Sequence, residues 1–507
     1  MSKRVSLIST EKLKTFFKKK GILYYIRYKS IMNNSVSIHW FRQDLRLEDN
    51  PALHAAQSNS LLLPLYHYEE DIDSNDEIGS AGKVWLHNSL ISLNSSLNNK
   101  LCITNGSITA EIFKLISIYK VKKVCWNFCV EPWRIEQDQA LKIQLEEKGI
   151  DVEIYNGSYL WSQNSIKKDD GTNYKVFTPY YRKGCLNALP PRIPIKKPLL
   201  NLVDTNKHSL SIKDLQLMPN KDWYEGFNHY WEYGENGAQK KLNIFIEHGL
   251  SDYKEGRNFP EKPYVSRLSP HLHWGELSPN QAWYAVENNS TEKNIDHFRS
   301  ELGWREFSAY LLYNYPSLQK NNLQSKFNRF PWNHNQNYLN FWKKGITGIP
   351  IVDAGMRELW KTGYMHNRVR MIVGSFLVKN LLIDWRYGES WFRDCLLDAD
   401  HANNSASWQW IAGCGADAAP YFRIFNPITQ GKKFDSSGNY TKKFVPELKF
   451  LPTDYLFNPW EAPDNILSEA NIKLGDSYPY PIVDLKESRN LALSAFGSLK
   501  DESNDSK

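Results

Sequence analysis

Residues 350–434 read PIVDAGMRELWKTGYMHNRVRMIVGSFLVKNLLIDWRYGESWFRDCLLDADHANNSASWQWIAGCGADAAPYFRIFNPITQGKKF. From Met365 onward, Val369, Ile372, Val373, Phe376, Leu377 and Leu381 recur with the period of a buried helix, which predicts a helix over 365–382. Asn367, Arg370, Met371 and Gly374 fall on a second face of that helix, at i, i+3, i+4 and i+7. This face is polar, cationic and open at its glycine, so burying it requires something large against it. An arginine placed there needs a carboxylate or an anionic ligand, because an unpaired buried charge is strongly destabilising. Carboxylates follow at Asp398 and Asp400, then the amide-rich turn His401-Ala402-Asn403-Asn404, with Trp385, Trp408 and Trp410 around them. An aromatic core with one satisfied ion pair explains any one of these features. Their coincidence in one stretch points to a ligand site.

Helical periods also mark 237–248, 279–288, 294–313, 353–361 and 388–397, and strand signals nearly vanish after Gly237. Residues 236–495 are therefore predicted to form a mostly helical domain. Upstream, strands are predicted at Val36–Phe41, Leu61–Tyr66, Leu101–Thr104, Lys122–Trp126 and Val152–Tyr155. They alternate with helices behind Asp49-Asn50-Pro51 and over 83–97, 108–120 and 134–148. That alternation predicts a parallel, helix-covered, Rossmann-like α/β domain over 33–161. It contains no GxGxxG and no GxxxxGK followed by Ser or Thr, which argues against a dinucleotide or triphosphate in the usual loop. Between the domains the pattern lapses over 162–235, where LPPRIPIKKPLL (189–200) reads as an extended linker over the surface. Residues 496–507 read as a disordered tail.

The chain has 507 residues, enough for two or three domains, and its 18 Trp, 28 Tyr and 23 Phe favour stacking on a flat ligand or on bases. The net charge of +7 is misleading: residues 1–32 carry nine Lys/Arg and one acid, so the rest of the chain is close to neutral. Any nucleic-acid binding must then come from a local basic patch. The 1–32 extension is read as a non-essential segment or a start placed too early, with a presequence or a basic arm as alternatives. The six cysteines have no paired or metal-ligand spacing, which indicates reduced thiols in a cytoplasmic protein and no metal site. No apolar run approaches the ~20 residues needed to span a bilayer.

Seven motifs complete the reading: WFRQDLRLEDNPAL (40–53), YKVFTPYYR (174–182), VSRLSPHLHWGELSP (265–279), WREF (304–307), MHNRVRM (365–371), DWRYGESWFRDCLLDAD (384–400) and FNPITQGKKFD (425–435). In this order, over roughly 36–490, the chain resembles the DNA photolyase/cryptochrome family, and most of all a class I photolyase acting on cyclobutane pyrimidine dimers. The resemblance implies an α/β antenna domain, a long connector and a helical domain holding FAD. It implies light-driven splitting of pyrimidine dimers in DNA by an electron from excited reduced FAD, in a monomer with no membrane association. A blue-light photoreceptor cryptochrome and a photolyase of 6-4 photoproducts are the alternatives.

Carried over by position, Tyr253 and the run Val265, Ser266, Arg267, Leu268, Ser269 would meet the phosphate and ribityl side of FAD; Val265 replaces the family's usual Thr. Asp398, Ala399 and Asp400 would line the adenine and ring portions, with Arg370 paired to Asp398 and Arg305 nearby. Asn404 falls where photolyases place an amide beside flavin N5, and plant cryptochromes an Asp; a neutral amide does not oppose an anionic reduced flavin. The resemblance places the lesion among Glu301, Trp304, Arg305, Asn367, Arg368, Met371 and Trp410, with Arg257, Arg305, Arg368 and Gln430 on the strand. Lys432 and Lys433 would add phosphate contacts. Met365-His366-Asn367 is the form of this motif seen in dimer-specific members; those acting on 6-4 products carry a second His. Trp408, Trp385 and Trp332 match a chain of three tryptophans that relays electrons to oxidised flavin. For the antenna chromophore, methenyltetrahydrofolate is the first expectation and a deazaflavin the second, although Glu131-Pro132-Trp133-Arg134 departs from the folate-binding motif.

Overall fold

The structure is a computed structural model that describes residues 35–501 apart from 59, 71, 72, 74, 75 and 418–421. The basic extension and residues 502–507 of the expected tail lie outside the described residues. In the N-terminal domain β1 (Val36–Phe41), β2 (Leu61–Tyr68), β3 (Cys102–Asn105), β4 (Val121–Asn127) and β5 (Asp151–Tyr155) form one parallel sheet in the order β3-β2-β1-β4-β5. The helices between them are α1 (Pro51–Gln57), α2 (Ser80–Ser96), α3 (Ile108–Tyr119) and α4 (Pro132–Glu147). β1 is buried along its whole length, as a central strand covered on both faces must be. Side-chain alternation divides the sheet between two cores: Ile38, Trp40, Leu63, Val124 and Trp126 face one, Phe41, Leu62, Tyr66 and Cys125 the other. Asn50 caps α1 by accepting the Leu53 amide at 3.1 Å, with Pro51 opening the helix.

The helical domain contains α5 (Gly234–Ile244), α6 (Tyr253–Gly256), α7 (Ser269–His273), α8 (Pro279–Ala285), α9 (Glu292–Asn314), α10 (Gln336–Lys344), α11 (Pro350–Thr362), α12 (Asn367–Ser375), α13 (Trp385–Cys395), α14 (His401–Ala412), α15 (Pro427–Phe434), α16 (Asn439–Phe444) and α17 (Leu485–Asp501). The helix predicted over 365–382 is shorter and of two kinds. Glu358 accepts the His366 amide at 3.1 Å and His366 Nδ1 accepts that of Arg368 at 3.2 Å, so α12 begins only at Asn367. From Phe376 to Asn380 the backbone widens into a π turn, with the Leu381 amide bonding to Phe376 O. Apolar spacing does not distinguish these turns. The last helix also runs past 496, and Phe496 stacks on Phe422 at 4.7 Å.

The connector departs most from expectation. Residues 189–200 are extended, with Leu189, Ile193 and Leu199 exposed, as their prolines predict. On either side the chain is built into the cores. Tyr159, Trp161, Phe177, Tyr180 and Tyr181 pack with α5 and α9, whereas Leu215, Phe227 and Trp231 join a core of the N-terminal domain. Asp49 ties three parts together: its carboxylate accepts Arg192 at 2.5 Å, the Ile195 amide at 2.9 Å and the Ser278 hydroxyl at 2.5 Å.

Candidate active site

The helical domain encloses a cavity of about 550 Å³, a size typical of ligand sites. The segment 265–269 contributes Val265, Ser266, Arg267, Leu268 and Ser269, and α6 contributes Tyr253, with Arg257 just beyond it. From α12 come Asn367, Arg368, Arg370 and Met371, and from α9 Glu301, Trp304 and Arg305. The turn before α14 brings Asp398, Ala399 and Asp400; α14 itself brings Asn404, Trp408 and Trp410. Residues spread over about 160 positions of sequence thus share one wall system.

The ion pair inferred from α12 is present and bidentate: Arg370 donates to both Asp398 oxygens at 3.1 and 2.9 Å, and Ser269 adds its hydroxyl at 2.5 Å. Asp400 caps α14, accepting the Asn403 amide at 2.8 Å and the Asn403 side chain at 2.5 Å. Asn404 directs its NH2 to the backbone oxygen and the carboxyl of Glu389, both at 3.0 Å. Its carbonyl is therefore the atom left for a ligand. Glu389 went unnoticed in the sequence because it holds Asn404 from a neighbouring helix, and burial pushes its carboxyl above the usual range. Arg267 adopts φ +52, a conformation uncommon for a non-glycine residue and characteristic of functional turns. Burial, reinforced by Arg257, Arg267, Arg368 and Arg370, pushes His366 down to about 3 and leaves it neutral.

Trp304 and Trp410 are half-buried walls. Phe177 stacks on Trp304 at 3.7 Å, covering one face, and Trp410 donates to Asp417 O at 3.1 Å. Asn367 is exposed into the cavity. Glu301 is not free: Arg257 grips both its oxygens, and His297 Nε2 meets the same guanidinium at 3.2 Å. Of the residues expected on the strand, Arg305 lines the cavity and Gln430 does not. Arg305 points its guanidinium at Ser158 O, 2.8 Å away, and Gln430 lies half-buried on α15 outside the cavity wall. Trp408 lines the cavity, Trp385 is fully buried and Trp332 is partly exposed, so the three lie at different depths. A Cβ on Gly388 would lie 2.2 Å from the Trp408 ring, so only glycine fits there.

A second cleft of about 60 Å³ lies on the seam between the domains, lined by Glu69, Asp76, Glu131, Trp133, Arg134 and His273 among others. Among the described residues, Glu69 Oε1, Asp76 Oδ1, Glu131 Oε2, Trp133 Nε1, Arg134 Nε and His273 Nδ1 are all buried there without a hydrogen-bond partner. So many orphaned polar atoms in one place mark a site that a polar ligand completes.

The large cavity fits the expected FAD. It has Ser266 and Arg267 as donors on one side, an aromatic and apolar interior, and a neutral amide at Asn404. A family model of the FAD binding domain of DNA photolyase matches residues 298–498, and one of DNA photolyase matches 37–198. The chain is 44% identical to the deoxyribodipyrimidine photo-lyase of Agrobacterium fabrum, over 91% of this chain and 98% of that protein. Among solved structures, a class III photolyase from Agrobacterium tumefaciens is 43% identical with a TM-score of 0.89, covering 92% of this chain and 98% of that one. A cryptochrome from Synechocystis is 30% identical with a TM-score of 0.83, covering 91% and 99%. Among the described residues no helix is long and apolar enough to cross a membrane. With these likenesses spanning both domains and the FAD cavity between α9 and α14, the chain belongs to the DNA photolyase/cryptochrome family.

Proposed function

We propose that this enzyme repairs cyclobutane pyrimidine dimers in DNA. Reduced FAD, when bound and excited, supplies the electron that opens the dimer. The observation that carries the reading is one cavity lined together by Asn367 and Glu301, suited to base edges, by the aromatic Trp304 and Trp410, and by the neutral Asn404. A dimer must leave the helix to enter such a pocket, and stacking walls with polar edges are what a flipped base needs. Lesion entry exchanges the Arg257 partner of Glu301 for a base N–H and leaves Arg257 for the strand. Asn404, its NH2 held by Glu389, offers a carbonyl to a ring N–H, which matches a reduced flavin. The 43% likeness to a class III photolyase supports that class in place of the class I expected from the motifs.

The test is to illuminate the reduced protein with DNA carrying one defined lesion. Restoration of a thymine dimer with a 6-4 product untouched is expected. If FAD is bound and reduced yet neither lesion is repaired, the cryptochrome reading replaces this one. The partial exposure of Trp332, against the burial of Trp385 and of Trp408 at the cavity, supports electron relay from the surface. Trp408→Phe is expected to abolish light-driven reduction of oxidised flavin, while the chemically reduced variant still repairs. Loss of repair in the pre-reduced variant would make Trp408 a structural residue.

The seam cleft supports an antenna chromophore between the domains. Its carboxylates match the N–H groups of a pterin edge, and Trp133 offers an aromatic surface, in keeping with methenyltetrahydrofolate. The cleft's volume admits only that edge of the molecule.

A further inference from the structure

Arg257, Arg267, Arg305, Arg368 and Arg370 line the large cavity. Four of them sit against a carboxylate: Arg257 on Glu301, Arg267 3.9 Å from Glu358, Arg305 3.3 Å from Glu306, and Arg370 on Asp398. Arg368 differs. Among the described residues its guanidinium meets the Asn258 side-chain oxygen, Met371 Sδ at 3.7 Å and the face of Phe434 at 4.4 Å, all of them neutral. Its Nε–H is buried with no partner. Asn258 also lines the cavity, and its own NH2 is fixed to Glu255 O at 3.1 Å, so its oxygen is turned to Arg368.

We propose that Asn258 is a positioning residue for the damaged strand: it orients Arg368 in the cavity wall through an uncharged acceptor and so reserves the cation for a DNA phosphate. The inference rests on the repair reading given above. Two properties of position 258 matter. The side chain must reach Arg368, because a free guanidinium on a long stem samples many rotamers, and fixing one lowers the ordering cost on binding. It must also be neutral, because a carboxylate at this distance would form an ion pair that a phosphate has to displace. The two effects separate experimentally. Removing the side chain loosens the cation and keeps its charge, whereas Asn258→Asp holds the cation and cancels its charge. Counterion release distinguishes them, since each phosphate neutralised by a protein cation contributes to the salt slope of binding.

The experiment uses the full FAD-loaded chain in the dark. A single-stranded oligonucleotide with one thymine dimer, and the same strand without it, are titrated over about 50–200 mM salt. Asn258→Asp is expected to weaken binding of the dimer strand about 10- to 100-fold at low salt, the worth of one charge-assisted hydrogen bond. Its salt slope should fall by about 0.7, one phosphate on a single strand. Asn258→Ala is expected to weaken binding less, with the wild-type slope. Flavin absorbance and melting temperature report that both variants are folded. Wild-type affinity and slope in Asn258→Asp would overturn the proposal, as would equal weakening in both variants with unchanged slopes, which is what a merely structural asparagine gives. A wild-type protein with no preference for the dimer strand would overturn the repair reading, and this inference with it.

Discussion

In the large cavity Asp398 is held by Arg370 and Ser269, Asp400 by Asn403, and Glu301 by Arg257; in the seam cleft Glu69, Asp76 and Glu131 each keep a buried oxygen with no hydrogen-bond partner among the described residues. Both sites are lined by acids, arginines and tryptophans, so composition does not separate them. What separates them is where the partners come from. The cavity is built within one domain, where α12 and the turn before α14 supply opposite charges to each other. The cleft is built from two domains that meet face to face, and several of its polar atoms point into the gap without a hydrogen-bond partner among the described residues. The first site is organised before any ligand arrives, whereas the second is left to be completed by one.

The sharpest way to break this contrast is to remove one partner on each side. Asp398→Ala leaves Arg370 buried beside an apolar side chain, and loss of one member of a buried pair typically costs about 3–5 kcal/mol. Denaturant unfolding of the variant should show a loss of that order together with loss of bound FAD. A variant as stable as the parent would mean that the cavity is not organised by its ion pairs.

A smaller effect is expected at Glu306, which sits beneath the cavity and accepts the amides of Leu160 at 3.0 Å and Trp161 at 3.4 Å. Burial pushes its carboxyl up to about 7, against the opposing pull of Arg305 and the two amides. The sign follows from linkage. A folded-state value above the unfolded one means that the native protein binds more protons between about pH 4.5 and 7, so stability falls as pH rises through that window and is flat above it. The total is about 3 kcal/mol at 1.36 kcal/mol per unit. Glu306→Gln should flatten the pH dependence of unfolding over that window; an unchanged slope would refute the assignment.

How far each site could be read from the sequence follows the same division. Helical spacing puts Arg370 on a face that requires a nearby acid, and the family resemblance names Asp398 as that acid. Sheet and helices were legible because VSIHWF and its successors alternate with amphipathic segments. Glu389, Asn258 and Glu306 were not, since each acts through a residue on another element, and no local spacing encodes that. The π turn after Ser375 preserves the apolar pattern and so hides itself. Arg305 comes to the cavity by family resemblance, and the Ser158 carbonyl that it meets there comes from far upstream, which no local spacing encodes.

The smallest expected effect is the one that tests the cleft. Glu131→Gln removes a carboxylate whose Oε2 has no hydrogen-bond partner among the described residues but which, against the cost of burial, Arg134 and His401 hold below the usual range, so in protein free of any antenna ligand the change should cost about 1 kcal/mol or less. Thermal unfolding measures this directly. A loss like that of Asp398→Ala would show that the cleft is as internally satisfied as the cavity.

The connector has a consequence for folding. Tyr159, Trp161, Phe177, Tyr180 and Tyr181 belong to the core of the helical domain, Leu215, Phe227 and Trp231 to that of the antenna domain, and Leu62 bridges to Leu202 on the way. Each half therefore borrows hydrophobic side chains from the segment that joins them, and neither core is complete until the chain has crossed from one to the other and back. Sequence-distant contacts of this kind slow folding, because the loop must close before the contacts form. They also merge what sequence length alone would make two independent folding units into one cooperative body. The antenna half is then not a detachable module: its distance from the flavin half is set by the same residues that let either of them fold.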